Sequence, residues 1–595
     1  MTNTRATRPT LATATAALLL GVAMPALPAL AKEKVKTPPA SEATASIAHS
    51  VSIPTVQSDG ASIDEATLRA ILSGDIAGHA EELATLDATS ILVPEIIVTV
   101  TSSGADGSES GVLTFSDLLL ENVQNGVAAS VSLAGIDMTM DDGAVSFGTM
   151  TASNFSIGGI LGVYGMVDSA STEMSTLYTD FASEGGTLNA EEVSCTFGGV
   201  SGAEVRARPL KTSFIEFMAL AQSMEDDPEN LDPAVLGKVL RMYADIFTAF
   251  ETSEVTFDGF ACDGEDDEGR PMVFEVAGMS MGGMSPGVYP ALSMDGLKIE
   301  VEGDGFIELG NFTFKQMDLT QAIATLQSAP ELVDETWLED NVRHLIPAME
   351  GLSIADLSID VPDPDEADTR IKATVGAFDL SLANYLNGIP TDFDMSSSEI
   401  VAQLPETGGD EMIDQLRALN ITSINAGFRL AAIWDEAAQS INIKEVSFNG
   451  ADLGSVALAG TIANATADLF ALDEDVALQA AMSVLVKNLD ATVEDWGLSD
   501  IILEVVGKEQ GSDPATLRPI FADLAKGTTI GMMAGLADAS KLGDAVDAFV
   551  RGTAKTLAIG ITAKNDTGLS LVDFMAAEED PTSLLGKVNV TATAK

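Results

Sequence analysis

The stretch "ADLSIDVPDPDEADTRIKATVGAFDLSL", Ala355 to Leu382, contains the fold in miniature. Leu357, Ile359 and Val361 alternate with Ser358 and Asp360, the period of a strand with one apolar and one polar face. "PDPDEAD" then supplies turn residues, and Arg370 opens a second run through Val375. An echo lies upstream in "EVTFDGFACDGEDDEGRPMVFEVAGMSM", Glu254 to Met281. It has the same order of strand, acidic loop, Arg and strand. Arg270 and Arg370 hold the same place, and Val276 corresponds to Val375. A third variant runs Ile424, Ala426, Phe428 and Leu430, then the turn "WDEAAQS", then Ile441 and Ile443. The intervals between these units are irregular, which indicates recurring hairpins and not a strict repeat array.

Outward from these hairpins, the pattern predicts an α+β fold. Antiparallel β-hairpin-rich sheets are interrupted by amphipathic helices, with a helical segment before the C-terminal strands. Strands are expected over 127–140, 145–157, 556–563, 569–574 and 588–594. Ser62 with Glu65 has capping-box spacing for a helix to about Leu86, and Ser213 with Glu216 has it for another. Asp232-Pro233 and Asp513-Pro514 combine a cap with Pro at the first helical position. Helices are also expected over 166–182, 331–349 and most of 466–553. In the last, Leu478, Met482, Leu485, Val486 and Leu489 would line one face. The implied organisation is a strand-rich region at 62–205, a central region of helices and acidic-loop hairpins at 206–410, and a C-terminal region at 411–595.

The first residues read as an export signal. Arg5 and Arg8 precede an Ala/Leu-rich run from Leu11 to Leu27, and Ala29-Leu30-Ala31 offers a cleavage site before Lys32. Residues 32–61 then read as a flexible leader rich in Ala, Ser, Thr and Pro. Removing 1–31 takes away two Arg and no acid, so 28 basic residues remain against 90 acidic ones, a net charge of 28 − 90 = −62. No later apolar run has spanning length, so no transmembrane segment is expected after cleavage, and the expected location is periplasmic or secreted. A surface this acidic repels nucleic-acid phosphates, which excludes nucleic acid as a partner. In an oxidising compartment Cys195 and Cys262 read as one disulfide closing a loop of 262 − 195 + 1 = 68 residues; two separate buried thiols are the other reading.

The one literal enzyme motif is the G-x-S-x-G of Gly278 to Gly282, around Ser280. A nucleophile elbow needs a helix directly after the serine. Here Gly283, Pro286, Gly287 and Pro290 follow, which will not open a helix. His344 is the only histidine downstream of Ser280. Aligned on the sister hairpin, Ser280 falls opposite Asp379, and Gly278 and Gly282 fall opposite Ala377 and Ser381. The acidic loops Asp263 to Gly269 and Asp363 to Asp368 hold oxygen ligands of the kind Ca²⁺ takes, yet Glu268 occupies the position where an EF-hand needs Gly. No catalytic, cofactor-binding or metal residue is assigned from sequence, and no cofactor is implied.

The stretch "KEVSFNGADLGSVALAGTIANATADLF", Lys444 to Phe470, resembles exported, uncharacterised Gram-negative envelope proteins with strand pairs around a D-x-G-type turn, here Asp452-Leu453-Gly454. It is also similar to AsmA-type envelope proteins. That resemblance implies repeated strands forming a lipid-conducting groove. AsmA-type proteins keep an N-terminal membrane anchor, whereas this sequence reads as cleaved. The function expected is a non-catalytic binding or structural role in the cell envelope, with a hydrophobic ligand or an envelope protein as partner. A secreted hydrolase and a Ca²⁺-stabilised surface protein are the alternatives.

Overall fold

A computed structural model describes residues 46–104, 107–140, 143–167, 172–213, 216, 232–364, 369–405, 411–536, 538–580 and 582–595. The expected export signal and residues 32–45 of the expected leader lie outside the described residues; of the rest of that leader, Gln57–Asp59 is a strand and Ile53 and Val56 are buried, 6% and 2% exposed. By contacts the chain forms two units, residues 1–47 with 102–108, and residues 48–101 with 109–595. The features described below all belong to the second.

From Val127 onward its sheet is a ladder in which each rung pairs antiparallel with the rung before it in the chain. The first rungs are each broken in the middle. They are β1 (Val127–Leu133) with β2 (Gly135–Met140), and β3 (Gly143–Phe147) with β4 (Met150–Ser156). Next come β5 (Ser175–Ser183) with β6 (Gly186–Ala190), β7 (Val193–Phe197) with β8 (Val200–Ala207), and β9 (Val255–Phe257) with β10 (Phe260–Glu265). Unbroken strands follow: β11 (Pro271–Met281), β12 (Leu292–Val301), β13 (Gly305–Phe314), β14 (Gly351–Pro362), β15 (Arg370–Leu386) and β16 (Ile389–Gln403). The ladder ends with β17 (Ser423–Asp435), β18 (Ser440–Gly450), β19 (Gly454–Ala463), β20 (Leu485–Asp495), β21 (Thr556–Ala563) and β22 (Val588–Ala594). β8, which contains residues 205 and 206, pairs with β5 on one side and β9 on the other, with a register shift between Val205 and Arg206, and β16 pairs with β17. The hairpins read from sequence are therefore rungs of one ladder, with β12 and β13 between the first and the second and β16 between the second and the third.

One constraint recurs at the same height in rung after rung. Val276 pairs with Leu297 and Gly278 with Asp295, which leaves Ala277 facing Gly296 with neither in the regular pairing. The omission continues at Gly310, Asp356, Gly376 and Glu399. Toward the N-terminus it is carried by Gly198-Gly199 beside Asp258-Gly259, and by Gly148 beside Gly185. Gly259, Gly296, Asp356 and Glu399 have φ of 76°, 62°, 55° and 54°, the left-handed region. A residue so placed interrupts the pleat and reverses which face the next side chain takes. The apolar spacing accordingly runs 274, 276, then 279, 281 in β11, and 352, 354, then 357, 359 in β14. Phe257 and Phe260, three apart across this crease, keep their ring centroids 6.5 Å from each other. The crease thus preserves one apolar face along the whole strand.

Helices interrupt the ladder at several points, and those packed most closely on its strands lie toward its two ends. Near the start, α1 (Glu65–Leu72) is capped by Asp64, whose carboxylate accepts from the Ala66 and Thr67 amides. Its Leu68 and Ile71 join Leu86, Ile91, Val93, Val123 and Ala128 in the tightest core of the molecule. The expected cap, Ser62, instead accepts from the Asp87 amide, and the helix ends at Leu72 and not near Leu86. The helix expected over 166–182 is largely strand β5, preceded by the short helix α2 (Ile157–Val163). Its Ser/Thr and aromatic residues favour the sheet once β4 and β8 flank it. The Asp232-Pro233 start opens α3 (Pro233–Ile246), with the Asp232 carboxylate accepting from Ala234. The helix expected over 331–349 reduces to Glu335–Asn341 and a 3₁₀ turn at Val342–His344. Ser213 accepts from the Glu216 amide, but the helix expected behind it falls outside the described residues.

The C-terminal segment is not wholly helical. Leu485, Val486 and Leu489 lie on β20, while Leu478 and Met482 lie on α4 (Glu474–Met482). Between β20 and β21 come α5 (Leu498–Gln510), α6 (Pro514–Met532) and α7 (Ala539–Val550), and α7 packs on β21 and β22. The strand expected over 569–574 stops at Ser570. There a capping box with Asp573 starts α8 (Leu571–Glu579).

Asp495 closes that helical insertion at its base. Its side chain is 4% exposed. It accepts from the Gly497 and Ser499 amides, the Ser499 hydroxyl at 2.6 Å and Lys555 Nζ at 3.0 Å. Burial alone would raise its pKa, but the bonds from Ser499, Lys555 and Gly497 outweigh burial and bring it down to about 2. A depressed carboxylate pKa contributes stability that is present above the unfolded value of 3.8 and lost as pH falls toward 2. Asp495→Asn should therefore cost about 2 kcal/mol at neutral pH, and urea titrations should show the gap from the native protein closing by pH 2. For the crease, a Cβ on Gly296 would sit 2.6 Å from Ala277 Cβ, whereas one on Gly303, at a hairpin turn with φ 79°, meets nothing. Gly296→Val should lower stability by about 2–4 kcal/mol and Gly303→Asn by less than about 1 kcal/mol, read as denaturation midpoints.

Candidate functional site: an uncovered apolar face

Because the ladder keeps register through the crease, apolar side chains form rows that run across the strands. One row passes through Ile136, Phe147, Gly186, Phe197, Phe260, Val276, Leu297, Leu309, Leu357, Val375, Ile400 and Ala426. A second runs Met138, Val145, Leu188, Cys195, Cys262, Phe274, Ile299, Ile307 and Ile359. Cys195 and Cys262 face each other in that row, joined by a disulfide with Cα atoms 4.0 Å apart. Beyond the crease, a third row links Met279, Met294, Phe312, Ile354, Phe378, Ser397, Phe428, Phe448, Val456, Val493 and Leu557. A fourth links Met281, Leu292, Phe314, Leu352, Leu380, Met395, Leu430, Val446, Leu458, Ala491 and Ile559.

The opposite face is polar. Ser280, Ser293, Thr313, Ser353, Asp379, Ser396, Arg429 and Ser447 form a row there. Lys315 reaches Asp379 at 2.6 Å, and Arg429 reaches Asp394 at 2.7 Å and Glu445 at 3.4 Å. Such half-exposed pairs add little stability individually. They make this face polar along its length.

The apolar face has no matching cover in the middle of the ladder. At the N-terminal end its rows are buried, with Ile136 5%, Val145 9%, Cys195 7% and Val276 3% exposed. At the C-terminal end α7 covers Leu557 and Val588, 7% and 4% exposed. Between Val276 and Leu557 no apolar residue of these rows is fully buried; Met279, Phe448 and Val456 are 41%, 58% and 51% exposed. At about 4.8 Å per strand, the uncovered stretch from β11 to β20 is on the order of 40 Å long. Contiguous apolar surface of that extent marks a place where something binds.

The motifs singled out from sequence fall elsewhere. Ser280 lies on the polar face in the same row as Asp379, and Gly278 in the row of Ala377, as the alignment of the two hairpins had them. His344 sits in the β13–β14 connection, its Nδ1 2.7 Å from Gln321 Nε2. In the first acidic loop, Asp266 accepts from the Glu268 and Arg270 amides and from the Arg270 guanidinium, which holds its pKa below the usual carboxylate range. That carboxylate is occupied in shaping its own turn. Most of the second acidic loop, 365–368, lies outside the described residues. Among the described residues no cluster of three or more His, Cys, Asp or Glu is placed to hold a metal, and no helix is long and apolar enough to cross a membrane. A shallow depression of about 470 Å³ between β5, β8 and β9 is lined by Asp180, Phe181, Gly202 and Glu254, without a nucleophile and base in contact.

Comparison with known proteins adds little chemistry. A family described only as an uncharacterised protein matches residues 447–595, from inside β18 to β22. No curated protein and no solved structure matches the chain.

The uncovered face makes a direct energetic claim. Truncating a side chain in a sealed core costs several kcal/mol, because a cavity remains. Leu86, 1% exposed, is such a residue, while Phe448 is 58% exposed. Leu86→Ala should cost about 2–5 kcal/mol and Phe448→Ala about 1 kcal/mol or less in equilibrium denaturation. Equal costs would mean that the Phe448 row is covered.

Proposed function

We propose that the protein is a non-catalytic, exported component of the cell envelope that binds a hydrophobic ligand, of the lipid acyl-chain class, along the apolar rows of β11 to β20. The observation that carries this reading is the contrast between the two faces of one ladder. The polar face is laced with hydrogen bonds and ion pairs, while the other presents rows mainly of Met, Phe, Leu, Ile and Val that are only partly buried, with Met279, Phe448 and Val456 exposed. A face built only to support a core would be covered along its length, as it is at both ends. The export signal at residues 1–31 and the likeness of Lys444 to Phe470 to AsmA-type proteins support the same reading. Methionine is well suited to such a surface, since its flexible thioether adapts to varied apolar shapes. It recurs at Met279, Met281, Met294 and Met395 in these rows.

Protein purified without detergent from its source cells should release lipid-sized masses at mild activation in native mass spectrometry. Val456→Asp combined with Leu458→Asp, which place charge on the two upper rows, should reduce that bound mass while leaving the circular dichroism spectrum unchanged. Recovery of ligand-free native protein alone would overturn the proposal.

A further inference from the structure

The ladder's C-terminal edge shows a second binding surface in the direction of its backbone hydrogen bonds. Thr556 and Lys595 exchange both bonds, N to O 2.9 Å each way. Residues in step with Lys595, namely Asn589, Thr591 and Thr593, therefore direct their backbone groups to β21. Val588, Val590, Ala592 and Ala594 turn their N–H and C=O groups away from it. Among the described residues β22 pairs with β21 alone. The register is unbroken from Ala563–Val588 to Leu557–Ala594. "VNVTATA" holds no proline, charge or bulge of the kind that stops an edge from pairing; the flanking Lys587 and Lys595 are the charges nearest to it.

We propose that β22 is the interface of a twofold dimer, pairing antiparallel with β22 of a second copy. The strand is complementary to its own reverse. When the outward groups pair, Val588 meets the second copy's Ala594, and Val590 meets its Ala592. Every outward N–H and C=O of the seven-residue strand then finds a partner. Asn589 meets Thr593, and Thr591 meets its own counterpart on the axis. Like side falls on like side: Asn589, Thr591 and Thr593 are exposed on one, and Val588, Val590, Ala592 and Ala594 are at least half-buried on the other. Ala594 and Ala592 end the rows of Leu557 and Ile559, so the apolar rows pass through the axis into the second copy. A single strand pair is smaller than a standard stable interface, so the dimer is reversible and depends on concentration. This inference does not rest on the ligand, and its test reads association only.

The central residue provides the test. Thr591 faces its counterpart as a non-hydrogen-bonded pair, where Cα atoms come within about 4.5 Å, inside disulfide reach. The native Cys195–Cys262 bridge is cross-strand with Cα atoms 4.0 Å apart, and the two native cysteines are both bonded. In the full chain under mild oxidation, Thr591→Cys should give a disulfide-linked dimer at least tenfold faster than Thr593→Cys. A mixture of Thr593→Cys with Asn589→Cys should link across copies. All three positions are exposed, so folding is preserved. Linking of Thr591→Cys no faster than that of Thr593→Cys would overturn the proposal. So would strong hydrogen-exchange protection of the β22 peptide in a protein that sediments as a monomer, which would mean that a segment of the same chain occupies the edge.

Discussion

Register is the constraint on which the rest of this structure depends. Each strand fits its predecessor only if the omitted residue falls at the same height, because a slip of one residue would exchange the apolar and polar faces. The demand is met with very few residue types: along the crease stand Ala277, Gly296, Gly310, Asp356, Gly376 and Glu399, so that each residue with a side chain has glycine beside it. The close approaches there explain the choice. A Cβ on Gly310 would lie 2.8 Å from Asp356 Cβ, and one on Gly376 would lie 2.9 Å from Glu399 Cβ. Where one strand carries a side chain into the crease, its neighbour must carry none. Once that condition is met, the rows and the two contrasting faces follow.

The part of this that sequence revealed was local. The hairpin at Ala355 to Leu382 and its echo at Glu254 to Met281 were legible, down to the equivalence of Val276 with Val375 and of Ser280 with Asp379, because period-two alternation is a nearest-neighbour property. Less legible was that these hairpins are rungs of one ladder, since pairing between rungs is set by partners far along the chain. Helices were misjudged where composition was ambiguous. Leu485, Val486 and Leu489 suit a helical face as well as a strand, and only β19 on one side and β21 on the other decide for the strand. The crease did leave a signal in the sequence, the spacing of three between 276 and 279, 294 and 297, 309 and 312, and 354 and 357. Against a strict period of two it looks like noise.

The methionine- and glycine-rich stretch after Phe274 shows how that signal works. Gly278 stands next to the crease, Met279 and Met281 fill two apolar rows, and Ser280 between them lies on the polar face. The chance G-x-S-x-G arises because a strand crossing the crease needs small residues, and an apolar row of adaptable shape uses methionine. The resemblance to a nucleophile elbow is a by-product of sheet geometry.

The strictly sequential pairing has a consequence for how the chain reaches this state. Each rung pairs with the rung before it, so a new strand finds its partner in the last strand laid down, even across an insertion such as that between β20 and β21. Topologies of that kind avoid the slow search for distant partners that delays most large sheets. A chain delivered end-first could add rungs as they emerge, with the Leu68–Val93 core as its seed, and would expose at any moment only its newest edge. Growth by one hairpin leaves every earlier contact intact, so the ladder can lengthen without being redesigned.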